Sequence, residues 1–143
     1  HSLLIGCSKV GMNISVASPS GYEPNEEICK VAKDLARANG SSVRISNDPN
    51  EVIEGADAVY TDVFISMGQE AEAQQRLKVF PPYQVNGRLV SKASERYIFL
   101  HCLPAHRGQE VSTEVIDNPE HSAVWDQAEN RLHVAKSLLA FLI

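Results

Sequence analysis

The sequence predicts an α/β fold: an open, mostly parallel, three-layer sheet with helices on both faces. Three observations predict it. Helix-period and strand-like segments alternate along the chain, the pattern of strand–helix–strand units. The strand candidates are short apolar runs of the kind buried between helical layers. The chain has 143 residues, 43% of them hydrophobic, which is enough for a real core.

Taken in order, residues 2–10 read as a helix with Leu3, Cys7 and Val10 on one face, stopped by Gly11. Residues 13–17 read as a strand. Asn25 can cap the next helix, with Glu26 and Glu27 placed where the helix dipole favours acids. Its apolar stripe is Ile28, Val31, Ala32, Leu35 and Ala36, and Gly40 ends it. Residues 43–46 form a short strand. Asp48, Pro49 and Glu51 then supply a cap, a proline for the first turn and a capping-box partner for a short helix closed by Gly55. The strand at 57–61 delivers Asp62 into a loop. Residues 70–80 look helical and stop at Pro81 and Pro82, and 88–95 suggest another helix. The strand at 97–100 delivers His101 and Cys102. A short helix near 112–117 follows, and the last helix opens at Asp126 with Glu129 as its capping partner. That helix ends in six apolar residues, Leu138–Ile143, so burial on every side is expected. The chain starts inside a helix with no strand before it, so the sheet is expected to lack its first strand and to belong to a larger protein.

Charge and cysteine usage narrow the function. The net charge is −5 and the basic residues are scattered, so nucleic acid is not an expected partner. No apolar run is long enough to span a bilayer. Three cysteines without ligand spacing, Cys7, Cys29 and Cys102, read as reduced thiols in an intracellular compartment and imply no metal site. There is no phosphate-binding loop and no Gly-x-Gly-x-x-Gly run.

In open α/β sheets ligands bind beyond the carboxyl ends of the strands. Two such ends carry the chemistry here, Asp62 through Gly68 and His101 through Pro104. Asp62 reads either as a turn residue or as a carboxylate aimed at a ligand cation. Ser66, Met67 and Gly68 follow it in a loop, where Gly68 allows close backbone approach or a hinge. Met67 reads equally as core filler. Cys102 reads as an inert buried thiol, as a nucleophile, or as a polar wall of a pocket. His101, its neighbour, points the other way in an extended segment and is poorly placed to activate it. Arg131 reads as a solvated surface arginine or as a fork of donors for an oxyanion. His106, His121 and His133 read as surface or structural.

These residues resemble a known family. Asp62-Val-Phe-Ile-Ser-Met-Gly68, His101-Cys-Leu-Pro104 and Glu129-Asn-Arg131 look like the ornithine carbamoyltransferases, and the resemblance extends over the whole chain, including Gly21-Tyr-Glu-Pro24. It implies a Rossmann-like domain, residues 1–143, that binds L-ornithine, with the carbamoyl-phosphate-binding domain absent from this chain. It implies transfer of a carbamoyl group from carbamoyl phosphate to the δ-amine of ornithine, giving citrulline and phosphate, with no cofactor and no metal. Asp62, Ser66 and Met67 would hold the amino-acid head, Cys102 and the Leu103 backbone would line the site near the amine, and Arg131 would bind the carbamoyl oxygen. The peptide before Pro104 is expected to be cis. The resemblance further implies a homotrimer for the intact enzyme, a place in arginine biosynthesis or the urea cycle, and a cytoplasmic location (or an organelle matrix in a eukaryote). The family's Ser-Thr-Arg-Thr-Arg, His-Pro-x-Gln and Asp-Gly-Asn-Asn motifs are missing, so the chain alone is expected to be inactive. Two other readings of the residues remain: a non-catalytic α/β module for amino-acid binding or assembly, and a cysteine hydrolase using Cys102 with His101 or His106.

Overall fold

A computed structural model describes the chain at residues 1–66, 68 and 70–143, with Glu70 described by its backbone alone. It divides into two compact units, His1–Ile53 and Glu54–Ile143.

In the first unit, α1 (Ser2–Lys9) leads into β1 (Ile14–Ala17), α2 (Glu26–Ala38), β2 (Val43–Ser46) and α3 (Pro49–Ile53). The strands β1 and β2 pair in parallel, Ile14 beside Val43 through Ala17 beside Ser46. Asn25 caps α2 as expected, its Oδ1 accepting from the N–H groups of Glu27 and Ile28. Gly11 and Gly40 end α1 and α2 in the left-handed region, at φ of 73° and 71°. The core is Leu4, Cys29 and Ala32, with Ile5, Ile14, Val16, Ile28, Val43 and Ile45 packed against it. Two expectations shift here. On α1 the buried side chains are Leu4 and Ser8, while Leu3 and Val10 are exposed. On α2 the buried line is Cys29, Ala32 and Ala36, and Val31 is half exposed. The buried line of α1 is thus one position on from the expected one, whereas on α2 Ala32 and Ala36 are buried as expected, Ile28 packs against the core, Leu35 is half-buried, and Cys29 takes the place expected for Val31.

In the second unit, β3 (Ala58–Thr61) is followed by a 3₁₀ turn (Glu70–Glu72), α4 (Ala73–Val79), a second 3₁₀ turn (Pro81–Tyr83) and α5 (Gly87–Val90). Then come β4 (Ile98–His101), α6 (Thr113–Ile116) and α7 (Val124–Leu142). The four expected strands are all present, and each unit holds one parallel pair, as the expected α/β class requires. Each unit closes its own pair through its own crossover. In the second ladder Ala58, Val59, Tyr60 and Thr61 lie beside Ile98, Phe99, Leu100 and His101. The other edge of β4 is covered by 121–123: Phe99 N–H donates to His121 O at 2.8 Å, and Ala123 N–H donates to Phe99 O at 2.9 Å. Alternation along the strands sends Val59, Phe99 and His101 inward, with Val85, Leu89, Val111, Val115, Ile116 and Val124 around them. Phe99 is fully buried, which alone stabilises the unit by about 1.5–3 kcal/mol.

The last helix departs from expectation at both ends. It begins at Val124 with Ala123 at its N-cap and no side-chain cap. Val124 is buried, and seating it extends the helix two residues ahead of Asp126. Glu129 pairs with His133 at 3.3 Å instead of closing a capping box. The apolar end is exposed within this chain, Phe141 at 85%, rather than buried on every side. No helix among the described residues is long and apolar enough to cross a membrane.

Candidate functional site at the exits of two parallel strands

The register of the second ladder decides where the chemistry falls. Thr61 and His101 are the last paired positions, so Asp62 and Cys102 leave the sheet side by side. Their side chains meet: the Cys102 thiol donates to Asp62 Oδ1 across 3.0 Å. The same oxygen accepts the Val63 N–H at 2.7 Å, which fixes the carboxylate rotamer. Oδ2 has no hydrogen-bond partner among the described residues.

Burial pushes the Cys102 thiol above its ordinary value, and the adjacent Asp62 carboxylate pushes it further the same way. It is therefore a thiol, not a thiolate, at neutral pH. Nor does a histidine activate it. The His101 side chain lies fully buried on the opposite face, where its Nδ1 accepts the Leu103 N–H at 2.9 Å. That acceptor role leaves the proton on Nε2, which donates to Glu110 Oε1 at 3.2 Å. Glu110 is fully buried too, and its Oε1 also accepts the His106 N–H. The geometry thus removes the basis for a cysteine hydrolase: the imidazole serves the backbone and the thiol serves the aspartate.

The Leu103 N–H is committed to His101, so only its carbonyl can face a ligand. Leu103 holds φ at 56°, left-handed and rare for a branched side chain, and the Leu103–Pro104 peptide is cis as expected. Ser66 is partly buried in the loop after β3, and Met67 lies outside the described residues. Arg131 is exposed on the second turn of α7, and no hydrogen bond or ion pair joins it to Asp62 or Cys102. The structure therefore brings Asp62, Cys102 and the Leu103 backbone together and leaves Arg131 outside that cluster.

Two residues of the cluster escaped the sequence reading. Gln127, one turn before Arg131, accepts the His101 N–H on its Oε1 at 2.9 Å. Tyr60, two residues before Asp62 and level with Leu100, shares the Asp62 face of β3, and burial, with the neighbouring thiol, pushes its hydroxyl up to about 12. The period-two spacing of Tyr60 and Asp62 was the available signal for the tyrosine. Among the described residues no group of three or more potential metal-ligating side chains is present. Two shallow hollows lie elsewhere, one beside Cys29 and Lys33 and one between Phe64 and Gln84, and neither includes Asp62 or Cys102. The strand exits form an open ledge, with a fixed carboxylate and a neutral thiol presented to whatever binds there.

Comparison with known proteins puts a family to this geometry. The chain is 59% identical over its full length to the ornithine carbamoyltransferase of Bacillus subtilis (strain 168), and it spans 44% of that protein. Its fold matches the solved ornithine carbamoyltransferase of Pyrococcus furiosus with a TM-score of 0.91 and 54% identity, covering 98% of this chain and 44% of that one. The anabolic ornithine carbamoyltransferase of Campylobacter jejuni matches with a TM-score of 0.92 and 37% identity, covering 99% of this chain and 46% of that one. The family model described as "Aspartate/ornithine carbamoyltransferase, Asp/Orn binding domain" matches residues 1–142, and by that match the chain belongs to the aspartate/ornithine carbamoyltransferase family.

Proposed function

We propose that residues 1–143 are the ornithine-binding part of an ornithine carbamoyltransferase whose carbamoyl-phosphate-binding domain lies outside this chain. The observation that carries the proposal is the 3.0 Å meeting of Cys102 and Asp62 at the joint exit of β3 and β4. It supplies an anchored carboxylate with a free oxygen, suited to an α-ammonium. It also supplies an uncharged thiol beside it, suited to a side-chain amine that must react as the free base. The exposed apolar end of α7 accords with further polypeptide packing there.

The reaction forms one bond and breaks one. The unprotonated δ-amine attacks the carbamoyl carbon, the N–C bond forms, the C–O bond to phosphate breaks, and the amine proton leaves with the phosphate. An alkyl ammonium has a pKa of about 10.4, so each unit by which the site lowers it recovers about 1.4 kcal/mol of barrier. A thiolate beside the amine would hold it protonated, whereas the raised pKa of Cys102 keeps that neighbour neutral. Asp62, with Ser66 and Met67, orients the amino-acid head. The Leu103 carbonyl lies near the amine, and Arg131 donates to the carbamoyl oxygen once the second substrate is held nearby. Orientation of two bound substrates supplies much of such a barrier. Further parts of the proposal are a trimeric intact enzyme, a place in arginine biosynthesis or the urea cycle, and a cytoplasmic or organelle-matrix location.

Asp62→Asn in the intact enzyme tests the reading. Hydrogen bonds to charged groups are worth about 1.5–3 kcal/mol, so the ornithine KM should rise about 10- to 100-fold. A KM unchanged within twofold, with kcat intact, removes Asp62 from the site.

A further inference from the structure

The last rung on the outer edge of β4 is made by a side chain. Residues 121–123 serve the rungs before it: the Phe99 N–H donates to His121 O, and the Ala123 N–H donates to Phe99 O. A parallel ladder continued in this register would next join the His101 N–H to Ala123 O. That carbonyl is already taken, because α7 begins here and the Gln127 N–H donates to Ala123 O at 2.9 Å. The N–H of His101, a buried residue, would thus lack a partner in the interior. Gln127 fills the gap: its Oε1 accepts the His101 N–H at 2.9 Å. The residue that removes the carbonyl with its backbone replaces it with its own amide.

This bond sets the helix against the strand. From Phe99 to His101 the strand advances about 6.6 Å, and from Ala123 to Gln127 the helix advances about 6 Å. Both ends of that step are bonded, so the first turn of α7 travels with β4 toward the strand exit. The next turn carries Arg131 about 6 Å further, level with Leu103 and on the Gln127 side of the helix. Arg131 is exposed and has no hydrogen bond or ion pair among the described residues, so its aim is set by the helix that bears it.

We propose that Gln127 is a positioning residue for the transfer reaction: by pinning α7 to the last rung of β4 it sets the reach of Arg131 over the exit that carries Cys102 and Leu103. The proposal rests on the reading of Arg131 as the donor to the carbamoyl oxygen. It goes beyond completion of the sheet edge, since the rung that Gln127 closes lies directly before Cys102 and one helical turn before that arginine.

The test compares Gln127→Met, Arg131→Ala and the double variant in the intact enzyme. Methionine keeps the length of the side chain and removes the acceptor. Arg131→Ala lowers kcat about 100-fold, the scale of one oxyanion donor. Gln127→Met lowers kcat about tenfold, because a misplaced donor loses part of that effect, and it leaves the ornithine KM within about twofold, because Asp62 is untouched. In the Arg131→Ala background the same change costs less than about twofold, the non-additivity of a residue that acts through another. A helix merely loosened would lower the melting temperature in both backgrounds and would not lose its effect on kcat with the arginine. Gln127→Asn, one methylene too short to reach the N–H, carries the test if Gln127→Met does not fold. A kcat unmoved by Gln127→Met, or lowered by one factor in both backgrounds, overturns the positioning role. Wild-type kcat in Arg131→Ala removes that arginine from the reaction, and the positioning role falls with it. Hydrogen exchange at the His101 amide needs no substrate and reads the tether alone. It quickens about tenfold in Gln127→Met, and unchanged exchange overturns the tether.

Discussion

Glu110→Ala withdraws one acceptor oxygen from two donors at once. In the folded chain Glu110 Oε1 accepts from His101 Nε2–H at 3.2 Å and from the His106 N–H, and the glutamate and His101 side chains are both fully buried. Each buried donor left without a partner costs about 1–3 kcal/mol, so the substitution destabilises the protein by about 2–6 kcal/mol. Glu110→Gln is the control. Its carbonyl oxygen takes the place of Oε1 and retains both bonds, losing only their charge assistance, so its cost is about 1–2 kcal/mol. Urea titration followed by circular dichroism measures both. With a slope near 2 kcal/mol per molar, a 4 kcal/mol loss moves the midpoint by about 2 M. The reasoning is refuted if Glu110→Ala stays within about 0.5 kcal/mol of wild type, or if glutamine costs as much as alanine. Either result would mean that the His101–Glu110 pair does not hold the β4 exit.

Asn25→Ala removes the oxygen that serves the Glu27 and Ile28 N–H groups, and it should lower stability by about 1 kcal/mol in the same titration; restoration by Asn25→Ser would confirm the capping origin. Arg107→Ala tests a pH dependence. Arg107 grips Asp117 with two bonds, at 2.7 and 3.0 Å, and its guanidinium holds the Asp117 carboxyl below the usual range. A depressed carboxylate contributes stability above its unfolded pKa of about 4 and loses it as pH falls through its folded value. The melting temperature of Arg107→Ala should therefore lie below wild type at pH 7 and converge with it in strong acid. A gap that persists at low pH would assign the effect to something other than this pair.

The elements of the fold were legible because their signals are local. Asn25, Gly11, Gly40 and the strand-like runs at 13–17, 43–46, 57–61 and 97–100 act within a few residues of themselves, and each does in the structure what its chemistry suggests, the strand ends falling within a residue of those bounds. Packing depth was less legible. Val31 has the helical spacing of a core residue, yet Cys29 takes the buried position, because only the facing strand decides which side of α2 is covered. The start of α7 was misplaced because Asp126 has the chemistry of a cap while Val124 has the core beneath it. In the candidate site, Asp62 and Cys102 were visible as polar residues directly after apolar strands. Glu110 and Gln127 were not, since a glutamate in a loop and a glutamine on a helix acquire their parts only through partners 9 and 26 residues away. Arg131 matched a family motif, yet among the described residues no bond draws it to the thiol and carboxylate.

The pairing of Thr61 with His101 at the last rung has a consequence for how this protein can change. Because β3 and β4 run in the same direction and stop on the same level, a residue deleted from one would set sulfur and carboxylate about 3.3 Å out of step and turn one of them to the buried side. Only a matched deletion in the other strand would restore them. The two segments, 40 residues apart in sequence, are thus bound to a common length, whereas the α4–α5 stretch between them is free of that bond.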